Sequence, residues 1–101
     1  MSYLKAKKLS ELLISKGMSI AIAESCTGGS LSSSLTSIPG ASNYFNCGFI
    51  TYSNESKISM LNVDPDSIKH FGAVSEKVAS EMAMGARSEE HTSELQSPCN
   101  L

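Results

Sequence analysis

The spacing of apolar residues changes period several times along the chain, and each change predicts an element. From Tyr3 to Lys16, Ala6, Leu9, Leu12 and Leu13 recur at helical spacing, with Lys5, Lys8, Glu11 and Lys16 opposite them. This predicts an amphipathic helix that Gly17 closes. Met18 to Ala23 is apolar or small at nearly every position, as in a strand covered on both faces. Leu31, Leu35 and Ile38 fall at i, i+4 and i+7, predicting a helix from near Thr27 to Pro39-Gly40. Its many serines are mediocre helix formers, so packing must hold it. Phe45 to Tyr52 suits a second strand, with Gly48 marking a bulge or a close approach. Ser53 or Asn54 then caps a short helix that carries Lys57 and buries Ile58 and Leu61. Asp64-Pro65 opens another helix that Phe71-Gly72 closes, and Ser75 begins a last one with Val78, Met82 and Ala86 on one face.

This order predicts an α/β protein, a layered α/β/α domain with a mixed sheet. Two strands are too few to cover these helices, so only the N-terminal half of such a domain is expected here. Residues 87–101 read differently. Arg87-Ser-Glu-Glu-His-Thr-Ser-Glu-Leu-Gln-Ser is similar to an in-frame translation of a short-read sequencing adapter. The expected organisation is therefore a domain over 1–86 and a non-native tail over 87–101, in which His91 and Cys99 carry no functional information.

Composition narrows the function classes. A net charge of −2 with 41% hydrophobic and 18% charged residues fits a soluble globular domain and gives no electrostatic reason to expect nucleic acid or membrane as partner. No apolar stretch is long enough to span a bilayer, and the N-terminus lacks the features of a signal peptide, so a cytoplasmic location is expected. Cys26, Cys47 and Cys99 are odd in number and lack CxxC spacing, which suggests reduced thiols rather than disulfides or a zinc cage.

The chemistry concentrates in Ala23-Glu-Ser-Cys-Thr-Gly-Gly29, where the first strand hands over to a helix. A helix's first N–H groups have no internal partner, so Thr27, Gly28 and Gly29 could hold a phosphate or an oxyanion. Ser25 is the candidate nucleophile and needs a base. His70 sits near a helix C-terminus, where interaction with the helix end is its commoner role. Lys57 is the better base, because the second strand delivers it and Tyr52 to the same sheet edge as Ser25. Cys26 is the rival nucleophile, but adjacent residues leaving a strand point apart, so it reads as a buried small apolar residue, as does Cys47. Glu24 could bind a ligand hydroxyl, orient Lys57 or complement the helix dipole. Ser42 is a second candidate serine. A non-enzymatic nucleotide-binding module, with Thr27-Gly28-Gly29 cradling a phosphate, is the competing class, and a fragment without a ligand is the third.

Ala23–Gly29, Pro39-Gly-Ala-Ser42, Gly48-Phe-Ile-Thr-Tyr-Ser-Asn-Glu-Ser-Lys57 and Gly72-Ala-Val-Ser-Glu76 together resemble the CinA C-terminal domain, the nicotinamide-nucleotide amidase family. The resemblance runs to about Ala86. It implies hydrolysis of nicotinamide mononucleotide to nicotinic acid mononucleotide and ammonia. Ser25 would be the nucleophile, Lys57 the general base, and Tyr52 a proton relay or lysine partner. Glu24, Thr27, Gly28, Gly29, Ser42 and Asn54 would bind the substrate. The resemblance implies no metal or cofactor, a small nucleotide as partner, and self-association of the full-length family member. Met1 followed directly by a helix suggests a stand-alone amidase. The family's second half, with a Gly-Ile-Ala-Gly-Pro-type loop and further strands, is absent, so the chain as written is expected to be inactive and poorly folded.

Overall fold

The computed structural model describes residues 1–90, and the side chains of residues 89 and 90 are left aside. Helix α1 spans Tyr3–Lys16. Ser2 caps its start by accepting from the Lys5 N–H, and Gly17, at φ 63°, turns the chain out at its end. The left-handed conformation needed there is one that glycine adopts without cost. Strand β1 follows over Ile20–Glu24, then helix α2 over Ser30–Thr36, a single 3-10 turn over Ala41–Asn43, strand β2 over Phe45–Ile50, and helices α3 (Asn54–Leu61), α4 (Pro65–Phe71) and α5 (Glu76–Glu90). Ser53 is the α3 cap, and Asp64 with Pro65 opens α4 as expected.

The two strands pair in parallel, Ile20 against Phe45 and Glu24 against Ile50, with an irregularity after Ile20 where Asn46 is skipped. The antiparallel member of the expected mixed sheet is not among the described residues. Alternation along the strands sends side chains to two cores. Ile20 and Ile22 of β1 and Phe45 of β2 pack with Ala6, Leu13, Leu35, Ile38 and Tyr44, so α1 and α2 cover one face. Ala21, Ala23, Cys47 and Phe49 pack with Leu61, Val63, Val78, Met82 and Ala86, so the later helices cover the other. The three layers are therefore present around only two strands, with Asn46 and Ile50 of β2 left exposed.

Two glycines permit close approaches that set the layers. Gly85, in mid-helix, lies against the Leu61 backbone, where any Cβ would collide with the carbonyl group, so α5 crosses α3 at backbone contact. A Cβ on Gly48 would come within 2.8 Å of the Ser32 hydroxyl, so β2 can lie close under α2 only with glycine there. Gly48 thus marks the close approach, while the irregularity lies nearer the strand start.

Several boundaries shift. Strand β1 runs through Glu24, and β2 stops at Ile50. Helix α2 starts at Ser30, not near Thr27, because Gly28 at φ 61° and Gly29 at φ 103° keep residues 25–29 in a turn. It ends at Thr36, before Pro39-Gly40. Ile58 is half-buried, while Leu61 is buried as expected. Helix α5 continues past Ala86 to Glu90. His91 and Cys99 lie outside the described residues.

Candidate active site

Strand β1 ends at Glu24 and the chain turns through Ser25 to Gly29 before α2 begins. Ser25, half-buried, lines a cleft of about 340 Å³ with Glu24, Cys26 and Thr27 on one side and Ala73, Val74, Ser75, Ala79 and Met82 on the other. The parallel register explains the second wall, since α5 returns over the C-terminal ends of the strands, where ligands of open parallel sheets commonly bind. Within the turn, the Gly28 N–H bonds Ser25 O and the Ser30 N–H bonds Thr27 O. The N–H groups of Cys26, Thr27 and Gly29 have no backbone acceptor among the described residues.

The start of α2 is already occupied. Its Gly29 cap makes no side-chain hydrogen bond. Glu24 serves instead: Oε1 accepts from the Leu31 N–H and the Thr27 hydroxyl, each at 2.8 Å, and Oε2 accepts from the Ser32 N–H at 2.9 Å and the Ser32 hydroxyl at 2.6 Å. The carboxylate is only 3% exposed. Burial pushes its pKa up, but the hydrogen bonds from Ser32, Thr27 and Leu31 together outweigh burial and hold it down to about 2. Gly48 protects this arrangement by leaving room for the Ser32 hydroxyl. Glu24 is thereby the cap of α2, which leaves its oxygens no role on Lys57.

Lys57 departs from an ordinary surface lysine. It is 2% exposed, and its Nζ donates to the backbone carbonyl oxygen of Tyr52 at 3.0 Å. It sits on α3, whose cap Ser53 lies just beyond β2. Thr51, the residue after β2, is fully buried with its hydroxyl unpaired. The Thr51 N–H bonds Glu24 O at 2.9 Å, so the exits of both strands are stitched together. Ser25, Tyr52, Asn54 and Lys57 therefore share one end of the sheet, but Lys57 does not line the cleft.

Other expectations are redistributed. The Tyr52 side chain is 72% exposed, so Tyr52 reaches Lys57 through its carbonyl group and not its phenol. Cys26 is exposed and lines the cleft beside Ser25, where a buried thiol was expected. Strand alternation does not extend into a turn, so neighbouring residues can face the same space there. Cys47 is buried, as expected. Ser42 lies in the 3-10 turn that precedes β2, at the opposite end of the parallel pair from Ser25. The chain alone does not bring the two serines together. Asn54 is exposed on the first turn of α3, away from the cleft lining. His70 is exposed at the end of α4, with Nδ1 donating to Asp66 O at 2.8 Å, the helix-end role expected of it. Among the described residues no group of three or more His, Cys, Asp or Glu side chains is placed to hold a metal. No helix among them is long and apolar enough to cross a membrane.

Leu31, Ala73, Val74, Ala79 and Met82 line the cleft but escape a reading from sequence. No local signal marks them, because Leu31 and the residues from 73 to 82 meet only when α5 returns over the strand ends.

Fold and site together describe a three-layer α/β/α domain fragment with a serine-bearing turn at the C-terminal end of its parallel strands. The family model for the CinA C-terminal domain matches residues 3–94, and the chain belongs to that family. It is 57% identical over 77 residues to a CinA-like protein from Chloroherpeton thalassium, covering 76% of this chain and 18% of that protein. A CinA-like protein from a Cyanothece species is 53% identical over 83 residues, covering 82% and 20%. Among solved structures, a competence-damaged protein (CinA) superfamily protein from Escherichia coli superposes with a TM-score of 0.80 at 40% identity, covering 82% of this chain and 48% of the other. The competence/damage inducible protein CihA from Agrobacterium tumefaciens gives 0.82 at 38% identity, covering 85% and 52%. The chain thus spans about a fifth of the length of these curated relatives and about half of these solved chains.

Proposed function

We propose that this chain carries the nucleophile half of an amidohydrolase site that deamidates nicotinamide mononucleotide to nicotinic acid mononucleotide and ammonia. The observation that carries this reading is Ser25 facing a cleft at the strand ends, with buried Lys57 delivered to the same sheet end. Ser25 Oγ attacks the carboxamide carbon while its proton passes toward Lys57. Collapse of the tetrahedral intermediate passes that proton to the departing nitrogen, which leaves as ammonia, and water then hydrolyses the acyl-serine. The Cys26 and Thr27 amides, unclaimed by the turn, are the nearest donors for the oxyanion. Tyr52 contributes by orienting Lys57 through its carbonyl group. Thr27 lines the cleft on the nucleophile side, whereas Gly28 and Gly29 carry the turn outside its lining. Asn54 would meet the substrate from the start of α3, and Ser42 only through a second copy in a self-associated family member.

A bare phosphate cradle is disfavoured, because an ionised carboxylate already fills the α2 start. The test is ammonia release from nicotinamide mononucleotide by the purified chain, alongside ligand binding. Turnover lost in Ser25→Ala and Lys57→Ala with binding retained supports the amidase. Turnover that survives Ser25→Ala overturns the assignment. Binding lost together with turnover in Lys57→Ala favours the binding module. A wild-type chain that binds without releasing ammonia would confine this half to recognition.

A further inference from the structure

Ser25 lines the cleft and Lys57 does not, and no hydrogen bond joins the two among the described residues, so a proton leaving the serine needs a group between them. Among those residues, Thr51 Oγ1 is the one buried side-chain nitrogen or oxygen without a hydrogen-bond partner. The Thr51 N–H bond to Glu24 O continues the strand pairing one residue past Ile50. Alternation therefore puts fully buried Thr51 on the side of Phe49, opposite the exposed Ile50. A hydroxyl shut in without a partner costs stability, and a valine of the same outline avoids that cost.

Lys57 reaches the same layer. It precedes Leu61 by one turn of α3, so both lie on one stripe of that helix, and Leu61 shares a core with Phe49. Thr51 comes two residues after Phe49 on that face of the sheet. Thr51 and Lys57 therefore form the next step of the layer toward the strand ends, where Ser25 leaves β1. The backbone ties both ends of this step. Lys57 Nζ donates to the carbonyl oxygen of Tyr52, the residue after Thr51, while the Thr51 N–H holds the carbonyl oxygen of Glu24, the residue before Ser25.

We propose that the Thr51 hydroxyl is the proton relay between Ser25 and Lys57. This deepens the amidase reading and rests on it. As Ser25 Oγ bonds the carboxamide carbon, Thr51 Oγ1 accepts the serine proton and gives its own to the lone pair of the unprotonated Lys57 amine, which Tyr52 O holds in place. Both transfers reverse as the tetrahedral intermediate collapses, so the proton reaches the departing nitrogen and Thr51 ends as it began. A hydroxyl accepts and donates at once, as this step requires. The Tyr52 phenol, turned to solvent, is not placed to do so.

The test is acetylation of Ser25 by p-nitrophenyl acetate, read as the release of p-nitrophenolate by the purified chain that Ser25→Ala abolishes. Thr51→Val should slow it by about tenfold or more, and Thr51→Ser should restore most of the rate. Lys57→Met should slow it comparably, and the double variant Thr51→Val/Lys57→Met should be no slower than Lys57→Met alone, because a relay has no effect once its acceptor is gone. The step in the pH–rate profile that Lys57→Met removes should be missing from Thr51→Val as well. Urea unfolding should find Thr51→Val at least as stable as the wild type; should it not fold, Thr51→Ala deletes the same hydroxyl without added bulk. A wild-type rate in the hydroxyl-deleted variant, or losses that multiply in the double variant, overturns the relay and leaves the amidase reading standing. A slow Thr51→Val beside an unaffected Lys57→Met overturns Lys57 as the acceptor and the relay with it. No Ser25-dependent release from the wild-type chain overturns both the relay and the amidase reading.

Discussion

Glu24 and Glu81 use the same hydrogen-bonding vocabulary to opposite ends. Each accepts a backbone N–H on one oxygen and a serine hydroxyl on the other: Glu24 from Leu31 and Ser32, Glu81 from Asp64 at 2.8 Å and Ser67 at 2.6 Å. Both bind the start of a short helix, α2 for Glu24 and α4 for Glu81. Glu81 lies partly in solvent with Lys77 Nζ at 3.8 Å, so its charge is shared with a cation and screened. Glu24 is buried without a cation and adds a second hydroxyl and a second amide. One carboxylate is a surface staple. The other is buried beneath the turn that carries Ser25 and holds the start of α2. The same pair of hydrogen bonds thus leaves one carboxylate at the surface beside a cation and the other buried without one within ion-pair distance among the described residues.

The contrast can be broken most severely by Glu24→Ala, which strands two amides and two hydroxyls without an acceptor. Stability should fall by about 3–5 kcal/mol, read from urea unfolding, enough to unfold a small domain. A loss below about 1 kcal/mol would mean water or a rearranged turn replaces the carboxylate.

Acid titration comes next. The folded pKa of Glu24 is depressed from 4.5 to about 2, so its contribution is complete above pH 4.5 and is lost as pH falls toward 2. At about 1.4 kcal/mol per unit, that contribution is about 3 kcal/mol. The urea midpoint should fall through this window, and Glu24→Gln should flatten much of the fall. Glu81 is also held below the ordinary range, by the Ser67 hydroxyl first, then the Asp64 N–H and, less, by Lys77, so its effect has the same sign.

Gly48→Ala tests the link between strand and cap. The new methyl must displace the Ser32 hydroxyl from Glu24, costing about 1–3 kcal/mol. A structure of the variant should show that hydrogen bond lengthened, and an unchanged bond would place the contact elsewhere. Glu81→Gln should give the smallest change, a thermal shift well below that of Glu24→Gln at neutral pH. An equal shift would erase the distinction between the two acids.

Much of this was legible from residue order. The apolar run into Ala23 located the strand and Asp64-Pro65 a helix start, each from neighbours within a few residues, while Gly28 and Gly29 were read into the first turn of a helix that begins only at Ser30. Contacts across distant parts of the chain were less legible. Tyr52 could be named as a partner of Lys57, but that its carbonyl and not its phenol does the holding depends on how α3 leaves the sheet. Cys26 was assigned to the interior by a strand alternation that ends at Glu24, two residues earlier. Glu24 suited three roles on paper, and only the fold of α2 onto it chose the cap. Val74 entered only within the Gly72–Glu76 motif, because nothing local says that this loop faces Ser25.

The cleft's two walls come from residues about 23–31 and 73–82, some fifty positions apart in the chain. A chain emerging from the ribosome therefore presents its serine turn well before α5 can return over it. Such early chains carry the Ser25 turn without the wall that encloses it, and the cleft forms only when α5 docks.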